Sequence, residues 1–274
     1  MVPALRKGEI DLTHRTLEPR QIAALAQNPG KDIRLVEAPG TEIRYLAFNT
    51  GRPEVEDPAV RRAMAQVIDR KALVRDVYQR TAEPLYSLIP RGVTSHTNAF
   101  YNEYGDPSVA KAREILRKAG VQTPVELTLW YASDHYGQVT KDEFAELERQ
   151  LEASGLFRIT LSGRTWPAYL RGLQKGEYAV FGMGWFPDFP DPDNYTAPFL
   201  GKDNVLKSPY RNEEIVEEIL PRSRRESQRG SVVDEFTRAQ EIVAKDVPVL
   251  PLWQGKQYVA ARDTVTGVEW TLDL

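Results

Sequence analysis

Cysteine is absent from the 274 residues, and histidine and methionine occur three times each. The lack of cysteine excludes disulfides, thiolate metal ligands and a cysteine nucleophile, and it is silent on compartment, since cytosolic and exported proteins alike can lack it. His14, His96 and His135 stand too far apart for metal-ligand spacing, and no serine elbow accompanies them. Nucleophilic and zinc chemistry therefore lack support, and neither a metal nor a cofactor is expected. No apolar run approaches the roughly 18 residues that span a bilayer. Basic excess is missing too: the formal net charge is −3, which argues against a nucleic-acid surface and favours small solutes or proteins as partners. The opening MVPALRKGEIDLTHR has no charged start, apolar core or cleavage site of an export signal. The chain thus reads as cytosolic, or as lacking its N-terminus.

What is present is enough length for one large or two smaller domains with a substantial core. Residues 1–40 read as the end of something: a helix-like PRQIAALAQ leads to a Pro39-Gly40 break. Ile43, Tyr45 and Ala47 then alternate with Arg44, Leu46 and Phe48 as a strand ending at Asn49. Asp57 caps a helix with Pro58 at its first position, and one apolar face continues from Val60 to Tyr78. Arg80 to Tyr104 reads as a long surface loop. A second helix has Asp106 as cap, Pro107 first and Gly120 as stop. The strand Val125–Leu129 follows, then a helix with a Thr140/Glu143 capping box, the strand Leu156–Leu161 and the helix Thr165–Lys175. Such alternation predicts an α/β layer architecture. Helices are expected over 212–225 and 231–245, an apolar strand between Pro248 and Pro251, and short strands over 257–274. The run RSRRESQR (222–229) reads as a solvated helix end or loop.

The organising stretch is Phe181 to Phe199, which packs six aromatics, four prolines and three aspartates into nineteen residues. The strand from Tyr178 to Phe181 is expected to stop at Gly182 and Gly184 and to become a stiff loop bearing Asp188, Asp191 and Asp193. Loops at the C-terminal ends of strands are where open α/β sheets bind ligands.

The order of GEID (8–11), YLAFN (45–49), DPAVRRAMAQVIDRKALV (57–74), DPSVAKAREILRKAG (106–120), TWPAYLRGLQKGEYAV (165–180), GWFPDFPDPDN (184–194) and AKDVPVLPLW (244–253) resembles the extracytoplasmic solute-binding proteins of peptide-type ABC transporters. The resemblance spans nearly the whole chain. It implies a lobe like those of type II periplasmic binding proteins, with a central β-sheet flanked by helices. It also implies a non-enzymatic, monomeric receptor that delivers a peptide or similar solute to membrane permease subunits. Sugars, opines and nickel complexes are carried by the same architecture. Localisation is implied to be extracytoplasmic, in the periplasm or as a lipoprotein at the cell surface. On this likeness an N-terminal half is missing, residues 41–246 form the second lobe, and 1–40 and 247–274 belong with the first. The strands near Thr41–Asn49 and Val247–Trp253 would be the crossovers between lobes.

The same resemblance suggests ligand contacts. Asp188, three residues after Trp185, matches the aspartate that pairs with a peptide's α-amino group, and Trp185 and Trp166 match tryptophans lining side-chain pockets. Phe186, Tyr131 and Tyr136 share that sheet edge and complete the candidate set, beside Trp130 and His135. Asp191 and Asp193 read as turn-stabilising carboxylates. Some similar members anchor the ligand's carboxylate with an arginine just past the Val125–Leu129 strand; SDHYGQVTK (133–141) has none, which points away from free dipeptides. The competing reading is a carbohydrate-active hydrolase using Asp188 and Asp191, although two carboxylates from one turn poorly flank a glycosidic bond.

Overall fold

The computed structural model describes residues 1–14 and 17–268. The chain opens with α1 (Val2–Lys7), β1 (Leu12–His14) and α2 (Pro19–Gln27), followed by the long β2 (Ile33–Phe48). Then come α3 (Pro58–Val67), α4 (Arg70–Asp76), β3 (Ala82–Pro84), α5 (Ala99–Tyr104) and α6 (Val109–Ala119). Strands β4 (Val125–Ala132), β5 (Phe157–Arg164) and β6 (Val180–Trp185) are separated by α7 (Val139–Ala153) and α8 (Trp166–Gln174). The last third holds α9 (Ala197–Leu200), a π turn over Glu214–Ile219, α10 (Leu220–Arg225), α11 (Val233–Asp246) and β7 (Val249–Arg262).

The strands form one mixed sheet in the order β1-β7-β2-β6-β4-β5, with β3 also on β7. β4 is parallel to β5 and β6, as crossover helices demand, whereas β2 is antiparallel to both β6 and β7. The expected α/β architecture with a central sheet flanked by helices is therefore observed, and the sheet is mixed. One large core spans Ile43 to Trp253. Two small clusters stand apart from it: Leu5, Leu25, Ile33 and Ala260 in one, Ala38, Val259 and Ala261 in the other.

Several local expectations are corrected by tertiary pairing. Pro39-Gly40 does not end a strand. β2 runs through it with a bulge between Pro39 and Ile43, pairing with β7 on both sides. Gly40 is required there, since a Cβ would lie 2.4 Å from the Gly255 carbonyl oxygen. Ile43 to Phe48 do not alternate in burial, because this central segment is covered on both faces. β6 also continues through Gly182 and Gly184 to Trp185, held by β2. At the chain's end, Val249–Arg262 is one strand rather than several, and residues 269–274 lie outside the described residues.

The helix expected from Asp57 to Tyr78 is two. Asp57 does accept from the Ala59 amide, but Ile68 is extended and Asp69 caps α4 by accepting from Ala72. In α6 the cap is Ser108, not Asp106. The 80–104 loop contains β3 and α5. Pro221 has no N–H for the carbonyl four residues back, and the turn before it is π rather than α.

Polar residues of α3 fasten it to distant backbone. Arg61, 4% exposed, donates from Nη1 to the Val55 and Glu56 carbonyls and from Nε and Nη2 to those of Asp246 and Val247. It thereby satisfies the C-terminal carbonyls of α11, which have no partner within the helix. Gln66 donates to the Tyr104 and Asp106 carbonyls.

Candidate ligand-binding site

A cleft of about 540 Å³ opens beside the bulge of β2, where Gly40 to Glu42 face Trp253 to Tyr258 of β7. The C-terminal end of β4 delivers His135 and Tyr136, that of β6 delivers Phe186, and β7 contributes Trp253 and Tyr258. Glu18, from the turn before α2, closes the other side. Flat aromatic walls with a few polar groups suit a ligand that is part apolar, part charged.

Behind this wall lies a buried charge network. Arg44, on β2, donates from Nε to Glu143 Oε2 at 3.0 Å, and Trp253 Nε1 donates to Glu143 Oε1 at 2.9 Å. The Arg44 guanidinium also sits 4.0 Å from the centre of the Tyr136 ring and 3.4 Å from Thr140 Oγ1. Burial works to lower the Arg44 pKa, yet the facing Glu143 carboxylate holds it above the ordinary arginine value. Burial raises the Tyr136 phenol, with Arg44 pulling the other way. Thr140 and Glu143 therefore do not form a capping box; α7 starts from Gln138, and both side chains turn inward to the arginine.

Of the residues singled out from the sequence, Tyr136 and Phe186 line the cleft. Trp166 backs it. Its ring stacks on His135 with centroids 3.7 Å apart and meets Tyr136 edge-on at 5.7 Å. Burial, and then the Arg44 charge, lower the His135 pKa. Tyr131 belongs to the core: it is buried, stacks on Phe144 at 4.7 Å, and a Cβ on Gly163 would fall 2.9 Å from its ring. Trp185 is half-buried, edge-on to Phe199, and donates from Nε1 to Asn194 Oδ1 at 3.2 Å. Asp188 is exposed, and its amide donates to the same Asn194 oxygen at 3.1 Å. Phe186 and Phe189 are exposed, at 52% and 47%.

Asp191 accepts from the Asp193 amide at 2.8 Å, the turn-stabilising geometry its spacing suggests. It is also ion-paired to Arg229, and Asp193 lies 3.4 Å from Arg224. The run RSRRESQR is thus not merely solvated: Arg229 pairs with Asp191 of the aspartate loop, and the more exposed Arg224 approaches Asp193. Arg44, Glu143 and Trp253 were missed as site-forming residues. A charged residue inside an otherwise apolar strand was the available signal for Arg44.

Residues 1–207 match the family described as bacterial extracellular solute-binding proteins, family 5, middle region. The chain belongs to this family. Its relatives include the dipeptide-binding protein of Pseudomonas aeruginosa, 25% identical over 96% of this chain and 49% of that protein. The peptide transport periplasmic protein SapA of Salmonella typhimurium is 28% identical over 90% and 45%. The chain therefore spans about half the length of the curated relatives it matches. In fold it is similar to the Helicobacter pylori periplasmic binding protein DppA in complex with the peptide STSA, with a TM-score of 0.83, 22% identity, and coverage of 97% of this chain and 51% of that one. The Pseudoalteromonas dipeptide-binding protein in complex with Met-Leu gives 0.82 and 21%, covering 95% and 51%. Family members are extracytoplasmic solute-binding proteins, and among the described residues no helix is long and apolar enough to cross a membrane. The hydrolase reading is not supported, since Asp191 is engaged by Arg229 and the family is one of transport receptors.

Proposed function

We propose that the chain is part of the solute receptor of an ABC importer, that it binds peptides, and that the whole protein hands them to membrane permease subunits. The observation that carries this reading is the aromatic cleft beside the β2 bulge, in a chain of this family. Residues 41–246 act as the second lobe. Residues 1–40 and 247–274 act as part of the first, consistent with the two small apolar clusters drawn only from those flanks. The bulge at Gly40, opposite Gly255, is then the hinge. Trp185, Phe186, Trp166 and Tyr136 supply ring surface to the peptide's side chains, with Tyr131 packed behind them. Asp188 takes the α-amino group, a charge-assisted hydrogen bond worth roughly 1.5–3 kcal/mol. The protein works as a monomer, outside the cytoplasm.

The test is melting of the protein with Ser-Thr-Ser-Ala, Met-Leu and their N-acetylated forms, followed by calorimetry. A free-amine peptide at about a hundred times its Kd adds roughly 2.7 kcal/mol of stability. Equal stabilisation by free and acetylated peptides would remove Asp188 from the reading, and no stabilisation by any peptide would remove the peptide ligand itself.

A further inference from the structure

The aspartate loop is exposed from Phe186 to Pro190 apart from Pro187, yet it is fixed at both ends. At one end Asn194 Oδ1 accepts from Trp185 Nε1 and from the Asp188 amide, so a single side chain sets both candidate ligand residues. At the other, Asp191 holds the Asp193 amide, one residue before Asn194. Asp191 is in turn gripped by Arg229, 38 residues away in sequence. That arginine is itself immobilised. Its Nη1 donates to the Ser223 carbonyl at 2.7 Å and the Glu226 carbonyl at 3.3 Å, and its guanidinium lies 5.3 Å from the ring of fully buried Phe236 on α11.

We infer that Arg229 is a positioning residue for the ligand loop, acting through Asp191 and Asn194 to set Trp185 and Asp188. The inference rests on reading this loop as part of the ligand site. Arg224 offers a comparison within the same run: its contact to Asp193 is longer, and its side chain is 59% exposed against 29% for Arg229. An exposed pair is screened by solvent and orders little, whereas a planar guanidinium clamped by two carbonyls loses little further freedom on pairing.

The primary test needs no ligand. In the indole N–H spectrum of the full chain, with the Trp185 signal assigned through Trp185→Phe, Arg229→Gln is expected to shift that signal. Its solvent exchange should rise on the order of tenfold, the size of coupling that neighbouring polar groups show. Asp191→Asn should do the same, the double variant should add little to either, and Arg229→Lys should restore part of the change. Arg224→Gln should leave the signal in place. An unmoved Trp185 signal in both Arg229→Gln and Asp191→Asn overturns the inference, as do additive effects or equal disturbance of every tryptophan. Should Arg229→Gln not fold, the near-isosteric Asp191→Asn carries the same test. Titration with Ser-Thr-Ser-Ala separates the two ideas: a wild type that does not bind it counts against the receptor reading, while the Trp185 signal still decides the role of Arg229.

Discussion

Arg44 and Glu143 meet at 3.0 Å in the interior, with side chains only 2% and 0% exposed. One belongs to β2 and the other to α7, and the second Glu143 oxygen accepts from Trp253 on β7. A single carboxylate therefore joins both long strands to the helix that follows the cleft wall. Such a pair adds little over an apolar replacement of equal volume, but losing one member strands a charge in a low dielectric.

Glu143→Ala is accordingly expected to cost about 3–5 kcal/mol in urea unfolding, while Arg44→Met with Glu143→Leu recovers most of that. A single-variant loss below about 1 kcal/mol would mean that water reaches Arg44 and that the pair does not join the strands.

At the bulge, Gly40→Ala should destabilise the protein by about 1–3 kcal/mol, because the new Cβ would press on the Gly255 carbonyl and backbone must move. Gly255→Ala, whose nearest contact would be 3.4 Å, should cost less. Thermal melting of the two variants compares them directly; equal losses would argue that the bulge relaxes.

His96 donates from Nδ1 to the Ile89 carbonyl at 2.7 Å, and burial lowers its pKa, with Arg91 adding to the effect. Its folded pKa lies below the unfolded value near 6.5, so the unfolded chain binds the proton more readily. The stability tied to its neutral form is complete above that value and falls away as pH drops through it toward the folded pKa. Melting temperatures from pH 8 down to about pH 5 should therefore decline more steeply in wild type than in His96→Gln. Parallel curves would dismiss His96 as a source of the acid sensitivity.

Asp188→Asn preserves shape and removes charge. On the proposed reading, affinity for free-amine Ser-Thr-Ser-Ala is expected to drop roughly tenfold or more, and that for the N-acetylated peptide, expected to be weak in wild type, to change little. Calorimetry on the four combinations forms a double-mutant cycle, and additive losses would show that the carboxylate and the amine do not interact.

The sequence by itself determined what short-range physics controls. Asp57 with Pro58 starts a helix, Gly120 in the left-handed region ends one at φ 71°, and apolar strands alternate with amphipathic helices. Motif order carried the family, and Asp191 closed the turn its spacing suggested. Only tertiary structure decided what each polar side chain faces. Arg44 and Glu143 are 99 residues apart, Glu143 and Trp253 are 110 apart, and Asp191 and Arg229 are 38 apart. Spacings of three or four residues favoured a Thr140/Glu143 capping box, and the glycines after Phe181 favoured a strand end. Both local preferences are worth about 1 kcal/mol, less than leaving a buried charge unpaired or a central strand without its neighbour. The long-range partners won because burial made their absence the costlier outcome.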